Sequence, residues 1–326
     1  MKAKGRKILA AALAVAVGLP AAFILTASAC CYFLDRTNGT IVSSGVTRRY
    51  LLYVPKTYHQ SKPAPLVVSL HGGALWPAAE KALSRWNDLA EEHGFLVVYP
   101  AGSGAFLEGF GPGASIWPMG PISLGRDVKF ISDLIDKLEG EYNIDPARIY
   151  ADGMSIGGGM AFALSCKLSD RIAAVGAVSG AQLLSWERCG DSSPVPTVAF
   201  HGTADRLAPY QGGSSPVAPG QFPNILNWCA RVARRNQCKG DPGDTRISPR
   251  VRRLAYTDCA GNADVVLYTV EGGGHTWPGG GRLPEWLVGS TTGEINATRV
   301  MWEFFLLHPR TVGSPAKLQT GRRPSG

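Results

Sequence analysis

The sequence predicts an α/β fold in which a mostly parallel sheet is covered by helices on both faces. Runs rich in Val, Ile and Leu recur along the chain, and helical patterns lie between most of them. Such continuous apolar strands, alternating with helices, are typical of parallel sheets that are buried on both sides. No repeat with a period of about 20 to 50 residues is visible, which argues against a solenoid or a propeller.

The predicted elements follow one another in a regular order. Buried strands are predicted at residues 48–55, 65–72, 95–100, 148–153, 172–180, 196–202 and 264–272. Helical periodicity predicts helices at residues 78–93, 124–142, 157–168, 222–236 and 292–307. In sheets of this kind, ligands bind beyond the carboxyl ends of the strands, so functional residues are expected directly after strands.

The chain of 326 residues is long enough to bury a sizeable core, and one catalytic domain at residues 46–309 is the simplest division. Four cations precede an apolar run that ends in Ala-Ser-Ala at Ala27–Ala29, which is typical of an export signal over residues 1–29. Cleavage after Ala29, lipid attachment at Cys30 and retention as a membrane anchor all remain open. Residues 30–45 are expected to form a linker and residues 310–326 a basic flexible tail.

The net charge of +8 does not indicate nucleic-acid binding. Four cations lie in the first seven residues and four in the tail, and the remaining 25 Lys and Arg equal the 25 Asp and Glu. A local basic cluster is interpreted as a solvated helix face and loop; it consists of Arg231, Arg234, Arg235, Lys239, Arg246, Arg250, Arg252 and Arg253. No nucleic-acid partner is therefore expected, and membrane attachment is expected only through the N-terminal segment.

Seven cysteines in an exported chain favour disulfides over metal ligands. No C-x-x-C spacing and no zinc-type cluster is present, so no metal site is predicted. Cys166 could pair with Cys189, and Cys238 with Cys259, leaving Cys229 as a buried free thiol. The sequence alone does not decide this pairing.

The motif Gly153-Met154-Ser155-Ile156-Gly157 lies between a predicted strand and a predicted helix. In a nucleophile elbow, a serine occupies a strained turn at this junction, and small residues on either side let the strand and helix approach closely. Ser155 is therefore the predicted nucleophile. The alternative is a glycine-rich packing turn, because the chain contains 40 glycines.

Two further strand ends carry an acid and a histidine, Asp205 and His275. The order Ser155, Asp205, His275 is that of an α/β-hydrolase triad, in which the histidine takes the serine proton and the carboxylate orients the imidazole. The backbone N–H groups of Ile156 and Gly73 are the predicted oxyanion hole. The alternative role of Asp205 is to cap a helix. The histidines at two other strand ends, His71 and His201, are expected to brace loops.

Three tryptophans near the predicted site, Trp76, Trp117 and Trp277, are candidates for flat apolar contact with a substrate. Packing explains them equally well.

Five segments carry a family resemblance: "LHGG", "GMSIGG", "FHGTADRLAPY", "EGGGHTWPGG" and "TTGEINATRVMWEFFLLHP". Together they resemble the secreted polyhydroxybutyrate depolymerase-like esterases, a family that includes feruloyl and acetylxylan esterases. The resemblance covers roughly residues 46–309. It implies an α/β-hydrolase fold and ester hydrolysis without a cofactor, with Ser155, His275 and Asp205 as nucleophile, base and base partner. The family often has a cysteine where this chain has Gly73, and a backbone donor is retained at that position.

The leading hypothesis is an exported serine esterase that acts on small or polymeric carboxylic esters, namely short-chain, hydroxyalkanoate or hydroxycinnamate esters. A peptidase or an acyltransferase with the same triad is the second hypothesis, because an acyl-enzyme can be resolved by water, an amine or an alcohol. The third is a non-catalytic surface binding protein, because a fold does not by itself determine function.

Overall fold

The computed structural model describes residues 37–105, 115–117, 121–180, 189, 192–216 and 221–311. The predicted export segment, Cys30 and almost all of the predicted tail lie outside these residues. Residues 39–43, which the sequence assigned to a linker, form a strand of the sheet instead. Within the described ranges, none of the helices has the length and apolar character that crossing a membrane requires.

The fold is built on a ten-stranded sheet with the order β1-β2-β4-β3-β7-β8-β9-β14-β13-β12. The six central strands, from β4 to β14, are parallel, and two antiparallel strands flank them on each side. The predicted mostly parallel sheet is confirmed. Its strands are β1 Gly39–Ser43, β2 Val46–Tyr53, β3 Ala64–Leu70, β4 Leu96–Pro100, β7 Ile144–Met154, β8 Ala174–Val178, β9 Thr197–Gly202, β12 Gly243–Ser248, β13 Val251–Tyr256 and β14 Val265–Val270. Two small hairpins add β5 Gly104–Ala105 with β6 Ser115–Ile116, and β10 Gly213–Ser214 with β11 Gln221–Phe222.

Helices pack on both faces of the sheet and enclose two apolar clusters. They are α1 Pro77–Ser84, α2 Trp86–His93, α3 Pro121–Glu141, α4 Ile156–Lys167, α5 Ile225–Arg235, α6 Glu285–Val288 and α7 Ala297–Leu307, with a short 3-10 turn at Ala260–Asn262. The single helix predicted over 78–93 is wrong, because Arg85 adopts the left-handed conformation with φ 57° and divides it into α1 and α2. Left-handed backbone ends a helix, since the hydrogen-bond ladder cannot continue through it.

The basic cluster lies partly on strands that the sequence did not predict. Arg246 belongs to β12, and Arg252 and Arg253 belong to β13, so the interpretation of this part as a loop is wrong. The guanidinium groups have carboxylate partners: Arg246 pairs with Glu271, Arg250 with Glu294 and Arg252 with Asp244. Almost every residue of β12 is exposed. These three arginines of the cluster therefore form ion pairs near one edge of the sheet.

Two disulfides join four of the described cysteines, Cys166 to Cys189 and Cys238 to Cys259. These are the two pairs considered from the sequence. The first ties the carboxyl end of α4 to a residue that follows β8. Cys229 of α5 is a buried free thiol, and burial raises its pKa far above the ordinary value.

Candidate active site

Ser155 lies in a strained turn between β7 and α4. Its backbone has φ 57° and ψ −123°, an arrangement that a non-glycine residue rarely adopts. The Ser155 N–H donates to the Val178 carbonyl at the end of β8, at 2.8 Å, and this bond holds the turn against the sheet. The residue is half-buried. The turn has the strand, strained serine and helix that a nucleophile elbow requires.

The glycines on either side of Ser155 allow backbones to approach closely. A Cβ placed on Gly153 would lie 2.5 Å from the carbonyl oxygen of Leu70 and from the backbone of Gly157. A Cβ on Gly157 would lie 2.0 Å from the same Leu70 oxygen and 2.6 Å from that of His71. Only glycine fits at these positions, which is the reason for the spacing of the motif.

Asp205 and His275 form a buried pair. The Nδ1 atom of His275 lies 2.7 Å from Oδ2 of Asp205. The other carboxylate oxygen, Oδ1, accepts the backbone N–H groups of Leu207 at 2.9 Å and Ala208 at 2.8 Å. Since Oδ1 is occupied by the loop, Oδ2 is directed to the imidazole. The hydrogen bond through Nδ1 leaves Nε2 of His275 free to exchange a proton on the other side of the ring.

His201 also lies beside Asp205. Its Nε2–H donates to the Ala208 carbonyl at 2.8 Å, and the same nitrogen is 3.4 Å from Oδ2 of Asp205. Burial lowers the pKa of His201, so the neutral ring is favoured. This geometry matches the expected loop-bracing role, because the ring joins the end of β9 to the loop that carries Asp205.

The Gly72–Gly73 loop after β3 packs against the serine turn. A Cβ on Gly72 would lie 3.7 Å from Cβ of Ser155. His71 Nδ1–H donates to the Gly72 carbonyl at 2.8 Å, and His71 Nε2 accepts the Gly102 N–H at 3.0 Å. Burial lowers the pKa of His71 to about 4, so the neutral ring braces this loop. The loop therefore has a fixed position beside Ser155.

Ile156 is the first residue of α4. The first N–H groups of a helix have no partner within the helix, and they carry the positive end of its dipole. The Ile156 N–H is therefore in position to bind a negative oxygen at Ser155.

The end of β8 connects the serine turn to the histidine loop. Val178 accepts the Ser155 N–H, and the next residue, Ser179, donates its hydroxyl to the carbonyl of Thr276 at 3.4 Å. The His275 N–H donates to Val288 of α6 at 2.6 Å, which fixes the same loop from its other side. The serine turn and the histidine loop thus both contact the end of β8.

Two of the three candidate substrate-binding tryptophans are core residues, which corrects the prediction for them. Trp117 is 0% exposed, and its indole N–H donates to the His71 carbonyl at 2.9 Å. Trp277 is 1% exposed and donates to Thr298 Oγ1 at 2.8 Å. Neither ring offers a face to a substrate, because both are enclosed and their polar atoms are bonded internally. Trp76 is half-buried beside the start of α1.

One feature near the site was missed in the sequence, namely the buried carboxyl groups of Glu80 and Asp152. Asp152 lies three residues before Ser155, inside an apolar strand, and a lone acid in such a strand was the available signal. Across the described ranges, the structure brings together no group of three His, Cys, Asp or Glu side chains that could hold a metal ion.

Comparison with known families supports a common origin for this architecture. Residues 48–187 match the family model described as Esterase PHB depolymerase. Feruloyl esterase B of Piromyces equi is 31% identical over 241 residues, which cover 70% of this chain and 42% of that protein. Feruloyl esterase C of Emericella nidulans is 29% identical over 273 residues, 83% of this chain and 87% of that protein. The chain thus spans less than half the length of the first of these relatives.

The acetyl xylan esterase from Aspergillus awamori has a similar fold. Its structure superposes with a TM-score of 0.57 at 15% identity, covering 73% of this chain and 93% of that one. At this identity, the likeness concerns the fold alone. The chain thus has the α/β-hydrolase fold, and its residues 48–187 are similar to the Esterase PHB depolymerase family.

Proposed function

We propose that this chain is a serine esterase that hydrolyses carboxylic esters through an acyl-enzyme. Ser155 is the proposed nucleophile and His275 the general base. Asp205 orients the imidazole of His275 and stabilises its protonated form. The observation that carries the proposal is the strained elbow of Ser155 at the start of α4, with the buried Asp205–His275 pair, whose histidine loop also contacts the β8 end.

The proposed reaction begins with attack of Ser155 Oγ on the ester carbonyl carbon, while Nε2 of His275 takes the hydroxyl proton. The carbonyl oxygen becomes negative and is bound by the N–H groups of Ile156 and Gly73. When the C–O bond breaks, His275 gives the proton to the leaving alcohol. Water then attacks the acyl-enzyme by the same route and releases the acid. Asp205 supports each step, because it stabilises the imidazolium and holds Nδ1 as the protonated nitrogen.

The proposed substrates are short-chain and hydroxycinnamate esters. Two relatives are named feruloyl esterases and one structural neighbour an acetyl xylan esterase, and these names support the same class of bond. Trp117 and Trp277 are buried, so of the three candidate tryptophans the half-buried Trp76 is the one that can contact an aromatic acyl group. Binding of a short acyl group does not depend on such a contact.

A substrate panel tests the proposed function. We expect hydrolysis of p-nitrophenyl acetate and butyrate, measurable hydrolysis of methyl ferulate, and only slow erosion of a polyhydroxybutyrate film, with Ser155→Ala as the blank. Peptide substrates and acyl transfer to added alcohols should proceed far more slowly than ester hydrolysis. Cleavage of peptides without cleavage of esters would reject the esterase assignment in favour of a peptidase, and activity on long-chain triglyceride emulsions alone would indicate a lipase.

We also propose that the protein is exported. The support is the N-terminal charge and apolar pattern, together with the two disulfides, which persist in oxidising compartments. Intact mass of the protein from its native host, alkylated without reduction, should show Cys166, Cys189, Cys238 and Cys259 unmodified. The same spectrum identifies the N-terminus: a start at Cys30 indicates cleavage, an added diacylglycerol a lipoprotein, and an intact Met1 an anchor. Alkylation of all four cysteines without reductant would contradict export into an oxidising compartment.

A further inference from the structure

Two carboxyl groups lie in the protein interior beside the proposed active site. Glu80 of α1 and Asp152 of β7 are both 0% exposed. The Ser69 hydroxyl donates to Oδ1 of Asp152 at 2.7 Å. Among the described residues, Oδ2 of Asp152 and both carboxylate oxygens of Glu80 lie buried without a partner at hydrogen-bonding distance and angle. Buried acceptors of this kind are unfavourable unless a proton or another donor satisfies them.

The surroundings supply no positive charge to these groups. Within the described ranges, no lysine or arginine is among the groups that shift the pKa of Glu80 or Asp152 most. Both carboxyl groups also raise the pKa of the Tyr99 phenol on β4, and that hydroxyl donates to Asn87 Oδ1 at 2.8 Å. The Ser84 hydroxyl of α1 donates to the Glu80 carbonyl. The Tyr99 and Ser84 hydroxyl groups thus donate to other acceptors, and two negative charges would face each other without a nearby cation among the described residues.

The protonation state follows from this burial. Desolvation raises the pKa of Asp152 to about 8, although the Ser69 hydroxyl and the Trp86 indole lower it. Desolvation, followed by the charge of Asp152, raises the pKa of Glu80 well above its ordinary value. At neutral pH, the pair therefore keeps at least one proton, because two like charges at one site do not both ionise.

The pair connects the two loops that form the proposed oxyanion hole. Asp152 is three residues before Ser155, and its register partner on β3 is Ser69, which is three residues before Gly72. The N–H of Gly72 and the Ser69 hydroxyl both act on the Glu80 carboxyl group and lower its pKa. Gly72 in turn packs against Ser155. Glu80 is thus in position to hold the Gly72–Gly73 loop from below.

We propose that Glu80 and Asp152 are positioning residues that share a proton and hold the Gly72–Gly73 loop against the Ser155 turn. One carboxyl oxygen of Glu80 receives the Gly72 N–H, and the other shares the proton with Oδ2 of Asp152. This arrangement fixes the direction of the Gly73 N–H, which binds the oxyanion. The inference rests on the proposed esterase function and assigns a role to residues outside the triad.

Loss of the shared proton sets an alkaline limit. The pKa of Asp152 is higher in the folded protein than in the unfolded chain, so the folded protein keeps this proton to higher pH. The contribution of Asp152 to the free energy of unfolding therefore falls as pH rises from its unfolded pKa through about 8. When Glu80 also ionises at higher pH, repulsion between the two carboxylates moves α1 away from β7, and the Gly72–Gly73 loop moves with α1. Turnover and thermal stability are therefore expected to fall together.

Variants at Glu80 test the proposal by kinetics between pH 6 and 10. Glu80→Gln retains a donor and an acceptor and cannot ionise, so we expect it to keep most of kcat at pH 7. Its alkaline decline should be smaller than that of the wild type, because ionised Asp152 then faces no second carboxylate. Glu80→Leu removes both bonds, and we expect kcat to fall about 10-fold or more with little change in KM, because an oxyanion donor is misdirected. The exposed Glu141→Leu on α3 is the matched control and should keep the wild-type profile.

Thermal unfolding at pH 6 and pH 9 tests the shared proton without any use of activity. We expect the Tm of the wild type to fall more between these pH values than the Tm of Glu80→Gln or Asp152→Asn. If the wild type and Glu80→Gln show the same decline in both Tm and kcat, or if Glu80→Leu folds and keeps wild-type kcat, the proposal is wrong. Should Glu80→Leu fail to fold, the profiles of Glu80→Gln and Asp152→Asn decide the outcome. A wild type that is inactive on every ester would reject the proposed function, while the Tm comparison would still test the proton.

Discussion

Ser155→Ala and His275→Ala should each remove nearly all ester hydrolysis, lowering kcat by about 10⁴- to 10⁶-fold. The physical reason is that neither residue can support formation of the acyl-enzyme without the other. The Ser155 hydroxyl is a weak nucleophile at neutral pH unless a base takes its proton, and His275 has no other proton to take. The double variant should therefore lose little more than either single variant. Initial rates on p-nitrophenyl acetate at high enzyme concentration measure this loss.

Asp205→Asn should retain more activity than either of these variants, because it changes the tautomer and charge of His275 and leaves the nucleophile in place. Ser169→Ala is a suitable control. Ser169 lies just beyond the carboxyl end of α4, where its hydroxyl accepts the Ser193 N–H at 3.3 Å, far along the helix from Ser155. It should leave kcat unchanged. If Ser155→Ala retained more than about a hundredth of wild-type kcat, another residue would have to be the nucleophile.

Gly157→Ala should produce the largest loss of stability. The added Cβ would lie 2.0 Å from the Leu70 carbonyl oxygen. The backbone determines the positions of both atoms, so neither can move away by side-chain rotation. The helix would have to move from β3, which also displaces Ser155. We expect a free-energy loss of at least about 3 kcal/mol, which lowers the Tm by roughly 6 to 12 °C in a domain of this size. Calorimetry with the disulfides intact measures it.

Gly125→Ala is the matched control for this prediction. Gly125 lies on the exposed side of α3, and a Cβ there would meet nothing within 4 Å. Alanine is favoured over glycine in a helix interior by about 1 kcal/mol, so this variant should keep or raise the Tm. An unchanged Tm in Gly157→Ala would mean that α4 and β3 do not cross as closely as this structure describes.

The parallel sheet and the elements that carry the site could be predicted from sequence because their signals are local. A short, β-branched run such as "PLVVSL" favours a strand buried on both faces, and the glycines around Ser155 indicate a sharp turn. The positions of Asp205 and His275 followed from a general rule, since functional residues lie after parallel strands. The contact between them depends on tertiary structure and became visible only with the fold.

Other features depended on tertiary packing and were missed for that reason. The arginines of β12 and β13 gave the segment a solvated composition, yet the two strands pair antiparallel as a hairpin, with Arg252 ion-paired to Asp244 across it. Trp117 and Trp277 looked like ligand contacts because an aromatic ring near a site has the same sequence signature as a core residue. Glu80 reads as the polar face of a helix, and its burial results from the way α1 packs over β2, β3 and β4.

The charged outer strand β12 has a consequence for self-association. The edge strand of a sheet has unpaired N–H and C=O groups, and a second chain can add to them and begin aggregation. On β12, Asp244 and Arg246 are exposed, and their ion pairs with Arg252 and Glu271 keep charge along this rim. A strand from another molecule would have to approach these charges and remove their water. The rim therefore discourages growth of the sheet from one molecule to the next at its β12 edge.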